Sequence, residues 1–369
     1  MRRVIITLGI SALALCSYAQ ELALFKDKGK VGFIDKKGSI VITPIFDAAN
    51  SFNDGLAAVS NGNKWGFIDH SGSWVIQPVY DKAKDFNYGV ALVLSDKEWH
   101  YINKEGIFIE KIDKAYGFKA GVAFYKIEDK VGLLDNQGEV IITPTYDKIV
   151  YLNDTYFKAS LNGKWGVVDN SGKVLIPFEY DSVSDYVDGV SCVKEEKDYY
   201  VWNNGKKIKL DGVTKIVSLV DIEYIIAKKE KLTGMINSLG EEVISFKYEN
   251  LGMLSQGLIP ARLNGRWGYI NTKEEEVIKF KYDYVLSFNE EGIAAARYNK
   301  KWGFINKEDE VIIPFKYDIN ANNYAYRKRG QGFVDGLARV KYKNKWGFID
   351  VKGNVLGNRW YNNVELFSK

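Results

Sequence analysis

The sequence predicts an all-β protein, a tandem array of about ten three-stranded antiparallel β-meander repeats. The main observation is the phrase Lys64-Trp65-Gly66-Phe67-Ile68-Asp69, which returns along the chain at a period near 34 residues. Asn-Gly turns separate short apolar runs, and no stretch has a convincing helical period. The repeat overrides the two or three globular domains that chain length alone would suggest. The clearest further copies begin at Lys164, Arg266, Lys301 and Lys345.

Each repeat opens with a strand of the type Gly-Leu-Ala-x-Val, such as Gly55 to Val59. A tight turn follows it, for example Asn61-Gly62-Asn63, and Asn-Gly between two apolar runs is a strong hairpin signal. The residue two positions after the opening glycine is small in most repeats, as at Ala57. We therefore expect neighbouring repeats to approach each other closely at this position.

The Trp-Gly phrase is the second strand. Side chains alternate between faces, so Trp65 and Phe67 share one face while Gly66 and Ile68 share the other. Both faces are apolar, which suits a sheet packed on both sides. A glycine in mid-strand is costly unless the space is needed, and we expect a neighbouring aromatic ring to lie over Gly66. The strand ends at Asp69 in an Asp-x-x-Gly turn.

The Asp-x-x-Gly turns could suggest calcium, because aspartate and glycine recur in them. Asn237, Asn271 and Asn306 occupy the aspartate position in other repeats. Asparagine serves a turn as well as aspartate does but removes the charge that a calcium ligand supplies. We therefore interpret these segments as turns.

The third strand has the form Val-Ile-x-Pro-x-Tyr-Asp, as in Val75 to Asp81. Proline cannot donate a ladder hydrogen bond, so this end of the strand is an edge or a terminus. A connection ending in Phe-x-x-Gly, such as Phe86 to Gly89, leads into the next repeat. Repeats three and six depart from the pattern, because His100 and Tyr200 occupy the position of the glycine.

One repeat cannot bury its own faces and is stabilised by its neighbours. Propellers usually have about four to eight blades of four strands, so ten units of three strands favour a curved superhelical array. A closed, propeller-like ring is the alternative. The segments Leu22 to Phe25 and Val364 to Phe367 fit the repeat frame, so closure is possible.

These phrases resemble the bacterial WG-containing (KWG) repeat family. The resemblance rests on the Trp-Gly pairs with their following Phe-Ile-Asp, the Pro-x-Tyr-Asp ends and the Gly-Leu-Ala starts, and it covers nearly all of residues 22–369. It implies an exported or envelope-associated scaffold and no common enzymatic activity.

Residues 1–19 have the pattern of a secretory signal peptide. Arg2 and Arg3 precede an apolar run, and small residues precede an expected cut ahead of Gln20. The run is too short for a membrane span, and we expect no transmembrane segment elsewhere. A lipoprotein cut before Cys16 is the alternative, disfavoured because leucine precedes that cysteine.

We expect residues 20–369 to form one repeat domain with an insertion near residues 319–332. After cleavage only Cys192 remains, so no intrachain disulfide is possible and we expect a buried, inert thiol. The formal net charge of +4 comes without a concentrated basic face, which excludes nucleic acid as a partner.

The sequence offers little catalytic chemistry. The two histidines, His70 and His100, belong to no metal-binding or catalytic motif, and we predict no catalytic residue, metal or cofactor. Aromatic residues outside the repeat pattern and the aromatic-basic insertion are better binding candidates, because variable loops on a regular scaffold carry function. The candidate partner-binding residues are Trp99, Trp202, Tyr324, Tyr326, Arg327, Arg329 and Trp360, with Trp74 as a further off-pattern aromatic.

These observations predict an exported, non-enzymatic scaffold that binds protein partners in the bacterial cell envelope, because extended repeat surfaces suit such binding. The first alternative is a carbohydrate-binding module that uses exposed tryptophan and tyrosine. The second alternative is a cryptic hydrolase.

Overall fold

The computed structural model describes residues 21–109, 118–119, 121–219, 221–319 and 332–368. Over these residues the secondary structure is β-strand, apart from one 3-10 turn at Leu356–Asn358. The strands form ten antiparallel sheets, seven with four strands and three with three. We call each sheet a blade and number the blades 1 to 10 along the chain. The predicted all-β repeat fold is confirmed.

Each four-stranded blade except blade 1 is a meander in which chain order and sheet order agree. Blade 1 comprises Asn363–Val364, Ala23–Asp27, Lys30–Ile34 and Ile40–Phe46. Blade 2 comprises Ala48–Ala49, Ala57–Asn61, Lys64–Ile68 and Trp74–Tyr80. Blade 3 comprises Lys82–Ala83, Val90–Ser95 and Glu98–Asn103. Blade 4 comprises Val122–Ile127, Lys130–Asp135 and Val140–Tyr146. Blade 5 comprises Lys148–Tyr151, Tyr156–Leu161, Lys164–Asp169 and Val174–Tyr180.

The second half of the chain repeats this plan. Blade 6 comprises Ser182–Val187, Val190–Glu195, Asp198–Asn203 and Lys206–Lys209. Blade 7 comprises Lys215–Ser218, Ile225–Lys229, Leu232–Ile236 and Glu242–Tyr248. Blade 8 comprises Asn250–Leu251, Leu258–Leu263, Arg266–Asn271 and Glu276–Tyr282. Blade 9 comprises Tyr284–Val285, Ala294–Tyr298, Lys301–Ile305 and Val311–Tyr317. Blade 10 comprises Phe333–Val334, Leu337–Tyr342 and Lys345–Asp350.

Nine blades carry a strand that the sequence did not predict. In blade 2 this lead strand is Ala48–Ala49, which pairs with the Gly-Leu-Ala strand at Ala48↔Ser60 and Ala49↔Val59. It follows the third strand of blade 1 after the single residue Asp47, so one polypeptide segment serves two neighbouring blades. A two-residue strand has no periodicity to detect, which explains why it was missed.

The favoured open superhelical array is wrong, and the alternative, a closed ring of ten blades, is what forms. The lead strand of blade 1 comes from the other end of the chain and pairs at Phe25↔Val364 and Lys26↔Asn363. The ring of Phe25 lies 5.1 Å from that of Tyr361 across this seam. The added strand makes the sheets resemble propeller blades. The ring closes because blade 1 takes its added strand, Asn363–Val364, from the other end of the described chain.

The hydrophobic cores lie between blades. One cluster contains Phe33 and Ile42 of blade 1 together with Phe52, Ala57 and Ile68 of blade 2. The expected small residues are buried there, since Ala57 is fully inaccessible to solvent. Each blade therefore depends on its neighbours for burial, as the repeat argument requires.

The glycine of the Trp-Gly phrase lies against the backbone of the third strand. A Cβ on Gly66 would lie 2.5 Å from the carbonyl oxygen of Ile76, and one on Gly32 would lie 2.5 Å from that of Ile42. The third strand bulges at this point, because the pairing register shifts across the glycine and again between the two residues that follow it. The expected aromatic cover is thus wrong for these two blades, where the close approach is between two backbones.

An aromatic ring does reach the glycine in four other blades. A Cβ on Gly166 would lie 3.0 Å from the ring of Phe178, and one on Gly303 would lie 2.8 Å from that of Phe315. Phe246 and Trp360 occupy the same place in blades 7 and 10. In the sequence, blades 5, 7 and 9 have phenylalanine where blades 1, 2 and 4 have proline, and in blades 5 and 9 the proline lies one residue earlier.

Blade 6 shows what happens without the glycine. Tyr200 occupies that position, and the following strand pairs in continuous register from Tyr200↔Lys209 to Asn203↔Lys206 with no bulge. In blade 3 the ring of His100 lies 4.7 Å from that of Phe108, and Ile102 pairs with Phe108 across one bridge. A side chain at this position therefore replaces the bulged strand with a straight one.

The Asp-x-x-Gly segments are turns, as interpreted from the sequence. The Asp69 Oδ1 atom accepts backbone hydrogen bonds from Ser71 at 2.9 Å and Ser73 at 3.0 Å. Asn271 Oδ1 accepts in the same way, and its Nδ2 donates to Glu275 at 2.6 Å. The asparagine version of the turn thus recruits a glutamate four residues later.

A carboxylate that follows the third strand accepts hydrogen bonds from two hairpins, one in its own blade and one in the next. Asp47 accepts a hydrogen bond from the Lys30 ammonium of its own blade at 2.5 Å and from the Gly62 amide of blade 2 at 2.9 Å. These two bonds lower the pKa of Asp47. Equivalent pairs, each 17 residues apart, are Lys64–Asp81, Lys130–Asp147, Lys164–Asp181, Arg266–Asp283 and Lys301–Asp318.

Glu274 supports the boundary between blades 7 and 8. Its carboxylate accepts from the Ser245 amide at 2.9 Å and from the Tyr248 hydroxyl at 3.2 Å, and it lies 2.7 Å from the Lys247 ammonium. Burial alone raises the pKa of Glu274, but the bonds from Lys247 and Ser245 outweigh burial and lower the pKa to about 2.

Replacing Gly66 with alanine should destabilise the protein, because the new Cβ overlaps the Ile76 carbonyl. We expect a loss of about 1–3 kcal/mol in the free energy of unfolding, measured by urea denaturation. The matched control is His100→Ala, which keeps a Cβ at the equivalent position of blade 3. Equal stability of G66A and the unmodified protein would contradict the close backbone approach.

Replacing Glu274 with glutamine should change how stability depends on pH. The folded-state pKa lies below the ordinary 4.5, so the carboxylate contributes stability above pH 4.5 and loses that contribution as pH falls toward 2. We expect E274Q to be less stable at pH 7 and to lose less stability over this interval, followed by urea denaturation at each pH. The exposed neighbour Glu276→Gln is the control, and parallel pH profiles for E274Q and the unmodified chain would refute the assignment.

Candidate functional site

The structure separates the predicted binding residues. Tyr324, Tyr326, Arg327 and Arg329 of the insertion lie outside the described residues. The three tryptophans that can be placed lie on blades 3, 6 and 10. The candidate residues within the described chain therefore do not form one site.

Trp99 and Trp202 are half-buried on strands whose glycine position is filled. The Lys84 ammonium lies 5.6 Å from the Trp99 ring, and the Trp99 side chain packs against the core of blades 3 and 4. Trp202 pairs with Lys207 across the straight hairpin of blade 6, and its ring lies 6.0 Å from that of Tyr180. Both side chains present only part of their surface to solvent.

Trp360 has a packing role. Its ring covers Gly347, as the phenylalanine rings of blades 5, 7 and 9 cover theirs. It also lies 5.7 Å from the ring of Tyr342 and 6.4 Å from that of Tyr317. Trp360 also lines a cavity at the ring seam, together with Phe25 and Lys26. Off-pattern Trp74 is half-buried as well, edge-on to Phe46 at 5.8 Å.

The structure exposes an apolar surface that the sequence analysis did not single out. We call it the apolar edge face and define it as Ile45 and Val79. These side chains are 59% and 56% exposed. Ile45 and Val79 occupy the same position on the third strands of blades 1 and 2, each just before the buried aromatic residue.

The blades that carry the apolar edge face are neighbours in close contact. A Cβ on Gly72 of blade 2 would lie 3.4 Å from the side chain of Ile42 in blade 1. Ile45 and Val79 therefore lie at the same position of two adjacent third strands.

The opposite sector carries charge at the equivalent position. Lys247, Lys281 and Lys316 replace the apolar residue in blades 7, 8 and 9. Lys281 lies 2.5 Å from Asp309, and Lys316 lies 5.2 Å from the ring of Tyr317. The signal was present in the sequence, as isoleucine and valine in early repeats against lysine in late ones. The sequence analysis missed this signal because the alternation of side chains along a strand does not show which face of the third strand is exposed.

His70 and Cys192 lie in apolar surroundings. His70 stacks on Phe52 with ring centroids 4.1 Å apart, and burial lowers its pKa. Its Nε2 atom has no hydrogen-bond partner among the described residues. Cys192 is buried, and burial raises the pKa of its thiol to about 12. A thiol with this pKa is protonated at neutral pH and weakly nucleophilic.

Two searches of the described ranges returned nothing. In this part of the chain, no group of three or more histidine, cysteine, aspartate or glutamate residues could hold a metal ion. No helix within the same ranges is long and apolar enough to cross a membrane.

Solved structures similar to this chain have low sequence identity. A eukaryotic initiation factor has 9% identity and a TM-score of 0.47, with 94% of this chain and 97% of that chain covered. Hsv2p of Kluyveromyces lactis has 10% identity and a TM-score of 0.30, with 61% and 94% covered. PorZ, described as a bacterial surface component of the type-IX secretion system of Porphyromonas gingivalis, has 10% identity and a TM-score of 0.24, with 90% and 56% covered. Scores of this size carry no argument about function.

A comparison with curated proteins gives no match. The family described as WG containing repeat, by contrast, matches residues 32–65, 65–99, 132–165, 165–199, 234–267, 267–302 and 302–319. These segments include most of the blades, and each contains the glycine of the Trp-Gly phrase or the end of the third strand. The chain therefore belongs to the WG-containing repeat family.

Proposed function

We propose that this protein is an exported, non-enzymatic scaffold of the bacterial cell envelope that binds a protein partner through the apolar edge face. The observation that carries the proposal is the exposure of large apolar side chains on consecutive blades, with lysine at the same position on the opposite sector. Contiguous exposed apolar surface on an otherwise polar protein marks an interaction site.

The chemistry of this surface suits a protein partner. Burying isoleucine and valine side chains away from water is favourable by roughly 25 cal/mol per Å² of apolar area. The edge strands also carry prolines, Pro44 and Pro78, which cannot donate a backbone hydrogen bond to an added strand. Recognition would therefore use side chains rather than an extension of the sheet.

Export is supported by the leader pattern in residues 1–19 and by what the family resemblance implies. The scaffold contains no disulfide, since Cys192 is the one cysteine beyond the leader. Stability in an oxidising compartment then comes from packing between blades.

Substitution of the apolar edge face with lysine should abolish partner capture. The double change Ile45→Lys and Val79→Lys places at these positions the residue that blades 7 to 9 already carry, so the fold should tolerate it. We expect the double variant to retain its melting temperature and to lose bands that the unmodified chain pulls down from envelope extracts.

The matched control for this experiment is Glu179→Lys, at the same position in blade 5. It should pull down the same bands as the unmodified chain. Undiminished capture by the double variant would contradict the proposed surface. Saturable quenching of tryptophan fluorescence by a sugar would favour the carbohydrate-binding alternative instead.

Expression of the full chain in a bacterium should yield a shortened, exported product. Removal of residues 1–19 lowers the mass and leaves Gln20 as the first residue, which intact-mass and N-terminal analysis of the periplasmic fraction would detect. A variant without residues 1–19 should remain in the cytoplasm. Recovery of the full-length chain with Met1 intact in the cytoplasm would refute export, and lipid modification at Cys16 would support the lipoprotein alternative.

A further inference from the structure

The seam that closes the ring encloses a small cavity. Its volume is about 160 Å³, and it lies where blade 10 meets the first strand of blade 1. The lining residues are Phe25, Lys26, Asp27, Lys345, Arg359, Trp360, Tyr361 and Asn362. Three of these residues are cationic and one is anionic, so the lining carries a net positive charge.

The positive charge arises because blade 10 lacks a carboxylate that other blades have. Lys345 is the counterpart of Lys64 and Lys301, which pair with Asp81 and Asp318 seventeen residues later. At the corresponding position blade 10 has Asn362, whose side-chain oxygen accepts a hydrogen bond from Lys345. An amide oxygen satisfies one donor but does not neutralise the ammonium charge.

Neither of the other cations is neutralised within the seam. Among the described residues, no carboxylate forms an ion pair with Lys26 or Arg359. Burial raises the pKa of the Tyr361 hydroxyl, and the neighbouring Arg359 guanidinium partly offsets that rise. The cavity thus brings together cations that no described carboxylate pairs with.

We propose that this cavity binds an anionic oxygen group, a carboxylate or a phosphate, between Lys345 and Arg359. The ligand would supply the charge that aspartate supplies in the other blades. Hydrogen bonds from cationic donors to an oxyanion are roughly twice as strong as neutral ones. The volume corresponds to about five molecules of liquid water, enough for one such group and a short attached chain.

The test is isothermal titration calorimetry of the full chain at constant ionic strength. One arm uses inorganic phosphate, and the other uses acetyl-glutamyl-amide as a peptide carboxylate. Saturable binding in one arm identifies the source of the anion, and binding in both arms supports the shared chemistry. The absence of saturable heat in both arms overturns the proposal.

Two variants locate the site. Arg359→Gln removes a cation, and we expect binding at least about tenfold weaker, as for loss of one charge-assisted hydrogen bond. Asn362→Asp restores the carboxylate of the other blades and should form the missing ion pair with Lys345. It should abolish binding while leaving the melting temperature unchanged or higher.

The matched control is Lys301→Gln, which removes an equivalent cation from blade 9, where Asp318 is present. Its affinity for either anion should equal that of the unmodified chain. Equal weakening by K301Q and R359Q would mean that the anion senses only overall charge, and would overturn the site. Unchanged binding in a folded Asn362→Asp variant would overturn it as well.

Discussion

Seven of the ten blades depend on a contact between two backbones at a single glycine. Where the second strand has no side chain, the third strand bulges until the carbonyl of Ile42 or Ile76 lies over Gly32 or Gly66. The bulge re-aims the third strand, and in blade 1 that strand continues, after the single residue Asp47, into the lead strand of blade 2. Blades joined in this way need no long loop between them.

The aspartates that follow the third strands contribute less to the ring than this backbone contact does. Lys30 and Asp47 form an ion pair in which both side chains are exposed to solvent, and such pairs contribute little stability by themselves. Their value lies in position, because the same carboxylate accepts the Gly62 amide at the hairpin of the next blade. A regular spacing of charges in the sequence thus records where one blade meets the next.

Local features of the fold were predictable from the sequence, and long-range ones were not. The Asn162-Gly163 hairpin and the Asp69 turn depend on neighbouring residues, and both formed as expected. The pairing of Phe25 with Val364 joins the two ends of the described chain, and no local pattern specifies it. The apolar edge face was visible as residue types at one repeat position, but exposure depends on which strand has no outer neighbour.

Closure by residues from both ends also shapes how the molecule is made. The hydrogen bond between Ser368 and Leu22 spans 346 residues, so the first blade lacks its fourth strand, Asn363–Val364, until that segment has been synthesised. Until then, its first strand, Ala23–Asp27, has a row of unpaired backbone groups and an uncovered apolar side chain, Phe25. Such an unprotected strand is a template for pairing between different chains. A nascent ring of this kind is therefore most prone to aggregation at its beginning, and the risk ends when the last strand arrives.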